Sequence, residues 1–150
     1  MNSLKELKQL KLTESLRKHP KLPEAARYIK PYSDKTANGL TRAIIDFLRL
    51  KGHQAERISS SGRYIDGSKV VTDTLGFKRR IGSGKWILGS MQPGSADLSA
   101  VIQGKAVKIE VKMKDRQSPA QKKYQEQVER AGGLYWLVRS FDEFIKYYNG

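Results

Sequence analysis

DLSAVIQGKAVKIEVKM, Asp97 to Met113, holds two runs rich in Val and Ile, with partial period-2 alternation, on either side of the hairpin signal Gln103-Gly104. A turn at those two residues sets Ile102 across from Lys105, Val101 across from Ala106 and Asp97 across from Glu110, with the last pair's Cβ atoms about 5 Å apart. Side chains alternate along a strand, so Lys112 projects from the same face as Glu110 while Ile109 and Val111 point the other way, toward a core. Two carboxylates and one ammonium therefore converge on one face. Like charges placed opposite each other are unfavourable without a cation between them, and oxygen donors of this kind suit Mg²⁺, which takes only one or two protein carboxylates and keeps several waters. Such a cation acidifies bound water and offsets charge developing on a phosphate. A lysine beside it can orient or deprotonate the attacking water. The chain also contains Glu6-Leu7-Lys8, an ordinary helix surface; only the second Glu-x-Lys has an Asp in register across a turn.

Working outward, residues 3 to 17 set Leu4, Leu7, Leu10 and Leu16 at near-helical spacing among lysines, with Asn2 or Ser3 as cap. Such leucines more often pack on their own domain than await a partner. Pro20, Pro23 and Pro31 punctuate a basic linker with room for a short helix from Glu24 to Ile29. Asp34 or Thr36 can cap a helix running to Lys51, with Leu40, Ile44, Phe47 and Leu48 inward and Gly52 as its stop. Gln54 to Ile58 reads as a strand. Downstream of the hairpin, Ser118 with Gln121 forms a capping box, with Pro119 in the first turn, for a helix to about Arg130 that stops at Gly132-Gly133. Gln121 can serve that cap or the carboxylate site. Leu134 to Val138 is a buried strand, and Ser140 with Glu143 is a second capping box, opening a helix with Phe144, Ile145 and Tyr148 inward. The element order gives an α/β sandwich around a mixed sheet.

Ser59 to Pro93 is polar and Gly-rich. Short apolar runs such as Lys69-Val70-Val71-Thr72 and Lys85-Trp86-Ile87-Leu88 suggest a β-ribbon there. Gly82-Ser83-Gly84-Lys85 looks like the end of a phosphate-cradling loop, but Arg79 and Trp86 occupy the positions of its first glycine and its Ser/Thr, so it reads as a turn. Arg57, Arg63, Lys78, Arg79, Arg80 and Lys85, with Lys114 beyond the hairpin, concentrate positive charge. Tyr64, Phe77 and Trp86 are interleaved, a mixture that can track a phosphate backbone and stack on an unpaired base.

Gly94 to Leu98, Ile109 to Lys112, Ser118-Pro119-Ala120-Gln121, Ala131-Gly132-Gly133 and the helix through Leu40-Thr41-Arg42-Ala43-Ile44-Ile45 occur in an order that resembles the PD-(D/E)xK nuclease superfamily, and within it the small stand-alone VRR-NUC type. The likeness runs over about the last two thirds of the chain. It implies a restriction-endonuclease-like three-layer sandwich, a central mixed sheet flanked by helices, over residues 34–150, with a basic helical extension at 1–33. It also implies that Asp97 and Glu110 bind Mg²⁺, or Mn²⁺ as a substitute, together with the backbone carbonyl of Val111. Lys112 would position the nucleophilic water and Gln121 would lie near the site. The implied activity is hydrolysis of DNA phosphodiester bonds, with branched DNA as substrate and a homodimer as assembly. Two positions depart from the pattern. Ala96 stands where a proline usually precedes the first Asp, and Asn38-Gly39 stands where an acidic residue often precedes Leu40. The second departure removes the charge for a second metal and keeps open an alternative, a catalytically weak nucleic-acid-binding module.

Composition agrees. One hundred and fifty residues make one ordinary domain, and 29 Lys+Arg against 15 Asp+Glu give a net charge of +14, which favours a polyanion such as DNA. The charged N-terminus lacks a signal-peptide core and no apolar run could span a bilayer, so the expectation is a soluble, cytoplasmic protein without a membrane partner. The lack of cysteine excludes disulfides and thiolate zinc sites. Only His19 and His53 are present, which argues against a histidine-metal nuclease.

Overall fold

The computed structural model describes residues 3–59, 62–87, 89 and 91–150. The candidate cap Asn2 and the expected strand residue Leu88 lie outside them. The first helix, α1 (Ser3–Lys18), buries Leu7 and packs Leu4 and Leu10 against the core, so most of its leucine stripe is used within the chain. The helix expected over Glu24 to Ile29 shrinks to a 3-10 turn at Glu24–Ala26. Arg27 explains the difference. Its buried guanidinium donates to the carbonyls of Ser15, His19 and Leu22, folding the linker back onto the end of α1.

Thr36 caps α2 (Ala37–Leu50) by accepting from the Gly39 amide, while Asp34, the other candidate, accepts from the Phe141 amide at the far end of the chain. Leu40, Ile44, Phe47 and Leu48 are all buried, and Gly52 at φ +83° ends the helix in the left-handed conformation. The first strand, β1 (Gln54–Arg57), follows.

The chain divides into two compact units, Met1–Ile58 with Gly94–Gly150, and Ser59–Pro93. The second unit consists of β2 (Arg63–Ile65), β3 (Lys69–Thr72), β4 (Lys78–Ile81) and β5 (Lys85–Ile87). Both segments expected in a β-ribbon are ribbon strands, but of two ribbons: β3 pairs with β4, and β2 with β5, each antiparallel. The loop between β3 and β4 accounts for this. Asp73 Oδ1 accepts from the amides of Leu75 and Phe77, and Gly76 at φ +86° lets the chain reverse at once. Every residue of these four strands is exposed or nearly so.

In the first unit β6 (Leu98–Ile102) and β7 (Lys105–Val111) form the expected hairpin, Ile102 facing Lys105 and Leu98 facing Ile109. Gln103 at φ +49° and Gly104 at φ +79° supply the two positive dihedrals that such a turn requires. The helix α3 (Pro119–Arg130) then carries the chain to β8 (Leu134–Val138), which lies parallel to β7, and α4 (Phe141–Asn149) closes the fold. The result is a mixed α/β unit around a four-stranded sheet in the order β1-β6-β7-β8, antiparallel except for β7 with β8. Ser140 caps α4 as expected. Glu143, however, accepts from the Arg139 amide rather than completing a capping box on Ser140.

Leu98, Ala100, Ile102, Val107, Ile109, Val111, Trp136 and Val138 form one face of this sheet and are buried in a common core with residues of α2 and α4. Phe47, Phe141, Phe144 and Tyr148 meet there at ring-centroid distances of 5.0 to 6.2 Å. His53 ends beside them, its Nε2 2.9 Å from Tyr148 Oη. Among the described residues no helix is long and apolar enough to cross a membrane. Phe144 is fully buried and touches Phe47, Trp136, Phe141 and Tyr148. Phe144→Ala is expected to cost about 3–5 kcal/mol of folding free energy in urea titration; a loss below about 1 kcal/mol would place the core elsewhere.

Candidate active site

The hairpin register that faces Leu98 with Ile109 brings Asp97 and Glu110 together one residue further on. Asp97 is held from both sides. Its backbone carbonyl accepts from the Ile58 amide just beyond β1 (2.8 Å), and its Oδ2 accepts from the Val111 amide (2.9 Å). Glu110, only 3% exposed, lies on the sheet face opposite the aromatic core. Its Oε1 is doubly engaged, by Gln121 Nε2 at 2.5 Å and by Lys112 Nζ at 3.2 Å. Its Oε2 is buried and has no hydrogen-bond partner among the described residues.

Gln121 therefore does both things its sequence position allowed. Its Oε1 accepts from the Ser118 amide while the Ser118 hydroxyl accepts from the Gln121 amide, closing the capping box. Its other end reaches Glu110. The first turn of α3 is thus tied to β7 through one side-chain amide. Gly94, at φ +82°, permits the approach, since a Cβ there would overlap the Ala120 carbonyl. The glycine's role rests on a backbone contact between distant segments and left no local pattern in the sequence.

Burial, then the nearby Asp97 charge, raises the Glu110 pKa above the ordinary glutamate value, and the contacts with Lys112 and Gln121 only partly oppose this. A half-satisfied buried carboxylate is costly unless something neutralises it. Glu110 Oε2 and the Asp97 carboxylate are the oxygens here that would suit a hard cation such as Mg²⁺, which would complete its shell with water. Among the described residues no group of three or more His, Cys, Asp and Glu side chains that could hold a metal ion is found.

The same sheet face holds residues that sequence reading passed over. Lys108 donates to Ser99 Oγ across the hairpin at 2.7 Å. Tyr135 on β8 has a buried hydroxyl, and burial, with Glu110 nearby, pushes its pKa up to about 12 against an opposing interaction with Gln117. Its ring meets Tyr124 of α3 at 6.3 Å, edge-on. The alternation of β7 could have found Lys108; nothing local marks Tyr135.

The other sequence candidates lie outside this cluster. Arg57 ends β1 and, with Asn38, Thr41, Arg42, Asp46 and Arg49, lines a surface cavity. Lys114 is exposed just past β7. Arg63, Lys78, Arg79, Arg80 and Lys85 all belong to the ribbons of the second unit. At Gly39, where an acid was expected, a Cβ would overlap the Ser33 carbonyl, so a side chain there would require the chain before α2 to move. Comparisons with protein-family models, curated proteins and solved structures find no match to this chain.

A buried carboxylate with a raised pKa lowers stability at neutral pH. Below the ordinary glutamate range the side chain is protonated whether the chain is folded or not. As pH rises through that range the unfolded chain loses its proton first, so the folded state loses ground until the raised folded pKa is passed. In chelator, Glu110→Gln is therefore expected to melt at or above the wild-type temperature at pH 7, by a margin that vanishes in acid. Mg²⁺ is expected to raise the wild-type melting temperature, by about 2.7 kcal/mol of stability at a hundredfold excess over Kd, but not that of Glu110→Gln. Equal Mg²⁺ shifts in both proteins would place the cation elsewhere.

Proposed function

We propose that this chain is a Mg²⁺-dependent DNA endonuclease. The single observation that carries the reading is the buried, unpartnered Oε2 of Glu110, one hairpin register step from Asp97, with Lys112 and Gln121 held on the other oxygen. The mixed sheet with α2 and α4 packed on one face and α3 tied to Glu110 on the other supports a restriction-endonuclease-like sandwich. When bound, Mg²⁺ supplies a water of lowered pKa and a counter-charge for the phosphate. Asp97, Glu110 and, through its carbonyl, Val111 would hold it.

The chain's own groups do the rest. Gln121 and Lys112 fix the rotamer of Glu110, so that Oε2 is directed without reorganisation. Lys112, its side chain 15% exposed, keeps an ammonium beside the carboxylate, where it can orient a water for in-line attack and balance charge on the phosphate. The excess of cations draws the polyanion to the surface. Branched DNA as substrate and a homodimer as working form belong to the same proposal. One observation favours a second reading, a binding module with little catalysis. The tight packing at Gly39 leaves the expected third acid without room.

Cleavage separates the two readings. Asp97→Ala and Glu110→Ala are expected to abolish Mg²⁺- or Mn²⁺-dependent cutting of a junction substrate while keeping or strengthening its binding, and Lys112→Ala to lose turnover with at most a modest loss of binding. Ca²⁺ is expected to support binding without turnover. Near wild-type cutting by either carboxylate variant, or cutting in excess chelator, would refute the site. Absence of cutting on junction, flap and duplex alike would leave the binding module.

The β3–β4 ribbon makes the electrostatic part specific. Its register sets Lys78 and Arg80 on one face with Val70 and Thr72, and Arg79 on the other, where its guanidinium pairs with Asp73 at 3.3 Å. Lys78→Ala with Arg80→Ala is expected to reduce the slope of log K against log salt by roughly two, and Arg79→Ala by less than one. Equal effects per residue would argue against a one-sided contact.

A further inference from the structure

The β2–β5 ribbon sets Tyr64 directly opposite Trp86. Partners in register project from the same side of an antiparallel pair, so both rings stand on one face, while Arg63, Ile65, Lys85 and Ile87 stand on the other. Tyr64 is 60% exposed and Trp86 61%. A cross-strand aromatic pair ordinarily gains by closing over a core, yet among the described residues the two rings contact neither each other nor another aromatic ring, and the strands beneath bury nothing. Tyr64 is nevertheless held in place. A Cβ at Gly84 would overlap its Oη and Cζ, so the ring lies along the glycine backbone with its outer side open.

Two exposed π-faces on one side of a ribbon, in a unit with a marked excess of positive charge, match the recognition chemistry of unpaired bases. Bases within a duplex already stack on each other, whereas an unpaired base gains a new neighbour on an aromatic ring regardless of its identity. The cations Arg63 and Lys85, each in register with an isoleucine on the reverse face, favour a polyanion over an apolar protein surface. Resting on the reading that DNA is the partner, we propose that Tyr64 and Trp86 form a stacking platform for unpaired bases of single-stranded DNA, with Gly84 as the residue that positions Tyr64. The platform gives a physical reason for preferring junctions, flaps and frayed ends, which offer such bases.

The test uses the full chain in chelator, so it is independent of cleavage. Trp86 and Trp136 are the only tryptophans, and Trp136 is buried in the core. Titration with a twelve-residue oligo(dT) is expected to quench the wild-type tryptophan emission, and Trp86→Phe to lose the quench while keeping affinity. Tyr64→Ala and Trp86→Ala are expected to weaken oligo(dT) binding about tenfold or more while leaving blunt duplex binding within about twofold. Gly84→Ala is expected to resemble Tyr64→Ala. Unchanged wild-type emission at saturating oligo(dT), an equal loss of single-strand and duplex affinity in the alanine variants, or an emission change that follows protein concentration without DNA would each overturn the platform. The last would mark a self-association face. If cutting is found without the quench, the nuclease reading survives and the platform fails; a quench without cutting has the opposite meaning.

Discussion

Everything in this unit's chemistry depends on one buried carboxylate that is only half satisfied. Glu110 is removed from water by the sheet and by α3, and its Oε1 is secured by an amide and an ammonium while Oε2 meets no donor among the described residues. Such an arrangement is expensive for an ionised carboxylate, and a cation on the free oxygen would offset that cost. The surrounding elements serve to impose it. The hairpin register sets Asp97 opposite, β1 anchors Asp97 through Ile58, and the capping box of α3 aims Gln121. The close pass of Gly94 under Ala120 keeps that helix near the strand.

Positive charge runs through both units, most of the 29 Lys and Arg lying in the first, while the ribbons of the second unit present theirs beside aromatic rings with little burial. Two-stranded ribbons with both faces solvated are marginal by themselves. Their side chains are exposed to solvent rather than packed in a core. The register sorts them further, pairing Arg79 with Asp73 and leaving Lys78 and Arg80 on the opposite face.

How far the sequence was readable follows from the range of the forces involved. The hairpin was legible because period-2 alternation and a two-residue turn determine a register locally, and that register brings Asp97, Glu110 and Lys112 to one face. The caps at Thr36, Ser118 and Ser140 were legible for the same reason. The short helix after Pro23 was misread because Arg27, a residue with no local signature, binds carbonyls of α1. The ribbon segments were legible but their partners were not, because β3 could pair with several equally short segments and the Asp73–Gly76 loop decides among them. Glu143 turned to Arg139 instead of Ser140. The contributions of Gly94, Gly39 and Gly84 could not be read at all, since each depends on what a missing Cβ would meet in a distant or folded-back segment. Gln121 was legible as a residue and ambiguous as a role, and the structure removes the ambiguity by giving its two amide atoms separate partners.

Diffraction from Mn²⁺-soaked crystals of the full chain, read by anomalous difference, shows whether Glu110 holds a cation. One strong peak is expected about 2 Å from Glu110 Oε2 and from an Asp97 carboxylate oxygen, with Lys112 and Gln121 unmoved on Oε1. A Glu110 side chain that keeps Oε2 dry, or turns it to a protein donor, while Mn²⁺ binds elsewhere or not at all would contradict that expectation.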